Sequence, residues 1–217
     1  FLPTGESIEE MLGVSDLKLA RWNPERDGEM KYHFYPDVFA SDVEPGRGFW
    51  IKVERTTPVE FAFGSPSPEQ EFSVELKPGW NMVGNPFTED LPWSIDAIKV
   101  RHQGQEKTLR EAALLGWVSS YAWIFVQDPD NPETGSYRMV FDPSVLQAGD
   151  VEGSLPAWHG AWVRAWTDCE LVFPPLSEAR QRLENARPRR PGLDNWKVRL
   201  VAMCGDEVDA SNFFGVD

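Results

Sequence analysis

Cysteine and histidine are nearly missing from this sequence of 217 residues. The only cysteines, Cys169 and Cys204, are too few and too far apart for the paired spacings of a zinc site or a dithiol redox centre. One disulfide between them is an expectation, with two buried thiols as the alternative. The three histidines, His33, His102 and His159, share no spacing that would bring two of them to one metal. No serine sits in a Gly-x-Ser-x-Gly elbow, and no glycine-rich loop opens a helix, so acyl transfer and nucleotide chemistry lack their usual scaffolds. The expectation is a protein that is not an enzyme.

Positive charge is also scarce. The 35 acidic against 21 basic residues leave a net charge of -14, which repels phosphate backbones and anionic headgroups. Nucleic acid is therefore a poor partner. No apolar run reaches the 18 or so residues that a spanning helix needs, which argues against membrane insertion. The one basic island lies at residues 177–190, where five Arg stand against two Glu. A solvated linker is the plain reading of such a stretch.

What the sequence does have is 18 Pro, 17 Gly, 10 Trp and 13 Phe. That mixture favours many short strands and tight turns over long helices, and predicts an all-β, mainly antiparallel fold. Within it lies a repeat. Residues 43–61 overlay residues 155–173 at a constant shift of 112 without a gap, so that Gly48-Phe49-Trp50-Ile51-Lys52 falls on Gly160-Ala161-Trp162-Val163-Arg164. Phe49, Ile51 and Val53 alternate with Trp50, Lys52 and Glu54, the period of a strand with one buried face. Each copy is expected to end in an antiparallel hairpin.

Upstream, Ser7 to Glu10 and Thr108 to Glu111 each place a hydroxyl three residues before a Glu, ahead of Gly13 and Gly116. This is the signature of a capped short helix with a left-handed stop. Two aromatic strands follow in each copy. They are joined by Asn23-Pro24-Glu25-Arg26-Asp27-Gly28 in the first and by residues 128–135 in the second. The second copy also carries the strand Phe72-Ser73-Val74-Glu75-Leu76 and a Pro78-Gly79 turn into Trp80. The counterpart of that hairpin is expected to end at Phe1-Leu2-Pro3, its leading strands lying before residue 1, as in an excerpt of a longer or processed polypeptide. Two tandem sandwich-like modules result, each with one short helix. The expected boundaries are 1–64 and 71–176, then a helical and Pro/Arg linker at 177–194 and the start of a third β unit at 195–217.

The segments Leu76-Lys77-Pro78-Gly79-Trp80-Asn81 and Glu44-Pro45-Gly46-Arg47-Gly48-Phe49-Trp50, with their counterparts, resemble tandem β-sandwich modules of large secreted bacterial surface proteins. Trp196 to Leu200 and Asn212 to Gly215 resemble the opening of the module that often follows them. The resemblance implies a non-catalytic structural or adhesive segment displayed outside the cell, with other surface-protein modules or like subunits as partners. It brings no catalytic residues.

Two candidate sites arise from the residues themselves. Asp128, Asp130, Asn131 and Glu133 set oxygen ligands near one another in a turn, an arrangement a calcium ion can collect; an Asp/Pro/Asn turn is the plainer reading. Trp162, Arg164 and Trp166 alternate on the face opposite Ala161, Val163 and Ala165, with Trp158 in the preceding turn. Such an aromatic, cation, aromatic row suits the face of a sugar ring, which makes a carbohydrate-binding module of a secreted enzyme the rival reading. Packing against a core or a neighbouring module is the other role for the row. A further possibility is a filament joined by strand exchange, in which residues 196–203 act as a free strand and complete another subunit's sheet.

Overall fold

The computed structural model describes residue 9 and residues 18–28, 30–42, 45–52, 68–131, 133–145, 151–185, 196–204 and 207–216. Residues 182–185 and everything beyond 195 are described by backbone alone. The chain forms two compact units, Phe1–Asn185 and Ala186–Asp217. The division falls inside the stretch expected as a linker, and both repeats lie in the first unit.

The first repeat contributes β1 (Lys18–Trp22), β2 (Tyr32–Phe34), the short helix α1 (Val38–Ser41) and β3 (Trp50–Lys52). Both neighbours of β1 are antiparallel to it, giving the sheet order β2-β1-β3. The capped helix expected from Ser7 lies outside the described residues, Glu9 excepted, as do Phe1-Leu2-Pro3. Helix α1 is a different one, begun by Asp37, whose carboxylate accepts the Phe39 amide at 2.8 Å.

In the second repeat the strands are β4 (Phe72–Leu76), β5 (Gly79–Gly84), β6 (Leu91–Pro92), β7 (Lys99–His102), β8 (Gln105–Thr108), β9 (Ala122–Gln127), β10 (Gly135–Val140), β11 (Val151–Glu152), β12 (Ser154–Leu155), β13 (Gly160–Ala165) and β14 (Cys169–Phe173). Helix α2 (Leu109–Leu114) lies between β8 and β9, and α3 (Leu176–Asn185) follows β14. A five-stranded sheet, β11-β10-β9-β13-β5, and a four-stranded sheet, β4-β14-β7-β8, carry the architecture, with a small β12-β6 ribbon beside them.

The inward residues of both large sheets fall in one core. Val83, Ile124, Ala161 and Val163 come from one sheet, and Val74, Leu76, Val100, Leu171 and Phe173 from the other. Face-to-face burial of alternating positions makes this part a β-sandwich. Trp93, completely buried, packs edge-on against Phe173 and donates its indole N–H to the Ser120 carbonyl at 2.9 Å, which satisfies the one polar atom it brings inside. Helix α2 has the expected cap. Thr108 accepts the Glu111 amide while the Glu111 carboxylate accepts the Thr108 amide at 2.9 Å, and Gly116 follows at φ +72°.

The expected hairpins are corrected. Strands β13 and β14 do not form a hairpin, and neither do β4 and β5. Instead β13 pairs with β5 and β14 pairs with β4, so each connection is an arch that crosses from one sheet to the other. The reason is burial. Ala161, Val163 and Ala165 of β13 and Leu171 and Phe173 of β14 must both face the core, and an arch turns them toward each other. At the β4–β5 arch the buried Asn81 side chain accepts the Lys77 amide and donates to the Lys77 and Gly79 carbonyls, holding Gly79 at φ +106°. Lys77 then reaches Asp168 in the other arch at 3.1 Å.

The terminal unit is the hairpin of β15 (Trp196–Cys204) and β16 (Glu207–Val216), antiparallel, with a register shift between Leu200 and Ala202. Residues 196–203 are thus not the free strand expected, because β16 occupies one edge of them.

Candidate functional site, an aromatic cleft between the repeats

The outward face of the five-stranded sheet is unusually aromatic. Trp162 lies directly across from Trp123 of β9 and from Met82 of β5. Arg164 is opposite Trp80, and Tyr137 of β10 is opposite Phe125. Cross-strand partners point to the same side of a sheet, so Trp80, Trp123, Trp162, Arg164, Phe125 and Tyr137 share one face. The inward neighbours of Trp162, Ala161 and Val163, fill the sandwich core and leave no room for an indole there.

The sheet of the first repeat stands over this face, and its contacts are reciprocal. By strand register Trp22 corresponds to Phe125, since Trp22 pairs with Tyr32 as Phe125 pairs with Tyr137. By the sequence repeat Trp50 corresponds to Trp162. The Trp22 ring meets Trp162 edge-on at 5.2 Å, and Phe125 meets Trp50 edge-on at 5.4 Å. Each hairpin closes its own pair the same way, Trp22 on Tyr32 at 5.0 Å and Phe125 on Tyr137 at 5.5 Å. A contact in which residue i of one copy meets j of the other, and j meets i, is the mark of a two-fold relation. Here it lies within one chain. Backbone bonds from Gly48 to the Met82 carbonyl at 3.0 Å and from Gly84 to the Gly46 carbonyl at 2.8 Å reinforce it.

The two faces do not close completely. Trp22, Tyr32, Trp80, Trp123, Tyr137 and Trp162 line a cleft of about 460 Å³, within the range of small-ligand sites. Its walls are flat, almost wholly apolar rings, braced by hydrogen bonds within the chain. Trp22 gives its indole N–H to the Trp80 carbonyl at 2.6 Å. Trp50 gives its own to the Tyr32 hydroxyl at 3.2 Å. Among the described residues the indole N–H groups of Trp80, Trp123 and Trp162 have no acceptor within the chain. Burial pushes the Tyr32 phenol above its usual range, with the Trp50 hydrogen bond acting the other way. Tyr32 stays protonated at neutral pH and, already accepting from Trp50, has its own proton to offer.

Of the residues expected in the aromatic row, Trp162 lines the cleft. Arg164 lies beside it against Trp80, and Trp166 continues the row, about half exposed. Trp158, 69% exposed at φ +63°, is not among the lining residues. Only strand register brings Trp22, Tyr32, Trp80, Trp123 and Tyr137 together as the cleft's other walls.

The turn of Asp128, Asp130, Asn131 and Glu133 does not gather its oxygens. Asp128 accepts the Asp130 amide and Asn131 the Glu133 amide, both local turn bonds, while Glu133 faces Lys52 at 3.1 Å. Among the described residues no group of three or more His, Cys, Asp or Glu is placed to hold a metal. Cys169 is a buried thiol, pushed up to about 11 chiefly by burial and also by nearby Asp168; the side chain of Cys204, its partner in the expected disulfide, lies outside the described residues. The histidines stay apart. The nearest polar partners of His33, His102 and His159 are Asp37, the Asp168 carbonyl and the Ala157 carbonyl respectively.

No family model, curated protein or solved structure matches the chain. Among the described residues no helix is long and apolar enough to cross a membrane.

Proposed function

We propose that this chain is a non-catalytic adhesive module of an extracellular surface protein, and that it holds a glycan in the aromatic cleft between its repeats. The observation that carries the reading is one cleft lined almost wholly by flat aromatic rings. A pyranose ring has the complementary build, a C–H face for stacking and hydroxyls at its rim for hydrogen bonding.

Titration of tryptophan fluorescence with neutral and acidic oligosaccharides tests it. Binding that is lost in Trp162→Ala and Trp123→Ala, with the fold retained by circular dichroism, supports the reading. Absence of a response to every sugar class would leave the reciprocal ring contacts with a purely structural role, a rigid joint in a surface array, which is the second reading those contacts favour.

A further inference from the structure

Among the described cations Arg164 lies against two aromatic rings. Its guanidinium carbon lies 5.7 Å from the ring of Trp80 and 5.7 Å from the ring of Trp166, so it is held between two indoles. Arg101, Arg110, Arg138 and Arg180, by contrast, are each paired with a carboxylate. Arg164 has no carboxylate partner among the described residues. The acids Glu25 and Asp168, both near this end of the sheet, are turned to Lys77, at 3.8 and 3.1 Å.

The consequence is chemical. A guanidinium that lies against ring faces keeps its N–H edge open, and that edge matches a carboxylate in two parallel hydrogen bonds. Stacking also restricts the long side chain before any ligand arrives, which lowers the entropy lost on binding. Trp80 is both a wall of the cleft and one side of this stack. The charge reader and the ring platform are therefore contiguous. In a chain of net charge -14, long-range attraction of an anion is absent, and recognition must come from contact at this one point.

We infer that the cleft selects acidic glycans, a uronate-type sugar stacking on the rings while its carboxylate is bound by Arg164. This rests on the glycan reading above and adds a ligand class to it. The carboxylate lies on the ring that stacks, so Arg164 and the indoles act on one sugar unit.

Calorimetry with oligouronates of several linkages, each beside its methyl ester, tests the inference. The ester keeps the ring and its hydroxyls but removes the charge. The expected result is a preference of about tenfold for an acid over its ester. That preference should vanish in Arg164→Gln while ester binding persists, and be partly kept in Arg164→Lys. Arg164 is exposed on the sheet surface, so neither substitution threatens the core. Equal affinity for acid and ester, or neutral sugars binding more tightly than any uronate, would overturn the inference and leave the glycan reading standing. If no sugar binds in either form, both fall together.

Discussion

Gly160 rests against Gly48: a Cβ built on Gly160 would stand 3.6 Å from the Gly48 α-carbon, and the two glycines hold the same position in their repeats. The pair lies where the two copies meet, and the approach is asymmetric in its tolerance. A Cβ on Gly48 would come within 2.7 Å of the Met82 side chain and 3.2 Å of the Val83 carbonyl, whereas one on Gly160 meets only ordinary contacts. Gly48→Ala should lower stability by about 1–2 kcal/mol, because backbone as well as side chain must give way. Gly160→Ala should change it by no more than about 0.5 kcal/mol. Denaturant melts of both variants read the difference, and equal effects would show that the glycines do not set the spacing.

The reciprocal ring contacts can be weighed by a double-mutant cycle. Trp22→Ala removes an edge-on contact with Trp162 and the bond to the Trp80 carbonyl. It should destabilise the protein by about 2–4 kcal/mol. The coupling between Trp22→Ala and Trp162→Ala should be about 0.5–1.5 kcal/mol. The coupling between Phe125→Ala and Trp50→Ala should be of the same size, as the two-fold relation requires. A cycle that closes to zero for both pairs would remove the rings from the account of how the repeats hold together.

Acid sensitivity has a definite sign. The carboxylates of Glu111, Asp37 and Glu106 are held below their usual range, the first two by backbone N–H groups at helix starts and Glu106 by Lys99 and Arg101. A carboxylate with a depressed folded value stabilises the protein fully above its unfolded value, and loses that contribution as pH falls through the folded value. The melting temperature should therefore hold near neutrality and decline from about pH 4.5, the ordinary glutamate value, downward. Glu111→Gln should make the decline shallower. A flat profile from pH 6 to 3 would contradict this.

Cys169 should resist alkylation in the folded protein at pH 8, since burial both shields the thiol and pushes it up to about 11, leaving little thiolate. Peptide mapping by mass spectrometry after iodoacetamide treatment distinguishes its label from that of Cys204. Full labelling of Cys169 only after denaturation is the expected pattern.

Much of this fold is written in short-range sequence. The cap of α2 was legible because Thr108 and Glu111 are three residues apart and need only each other. The turn at 128–135 was legible for the same reason. So was the alternation that sends Ala161, Val163 and Ala165 to one side of β13 and Trp162, Arg164 and Trp166 to the other. The cleft was only half legible. Trp162 and Arg164 were recognisable as outward residues, but what an outward residue meets is set by another part of the chain.

By itself, then, the sequence determined the β-rich class, the two faces of strands such as β4 and β13, the cap of α2 and the turn at 128–135. These follow from backbone geometry and from neighbours within a few residues. Tertiary structure alone decided that β13 and β14 arch between sheets instead of forming a hairpin. It also decided that Trp22 lies on Trp162 as Phe125 lies on Trp50, and that the rings leave a cleft with Arg164 at its edge. A period of two fixes which side chains leave a strand together, and it is silent about which strand lies beside it. That choice is made by burial summed over residues tens of positions apart in the chain.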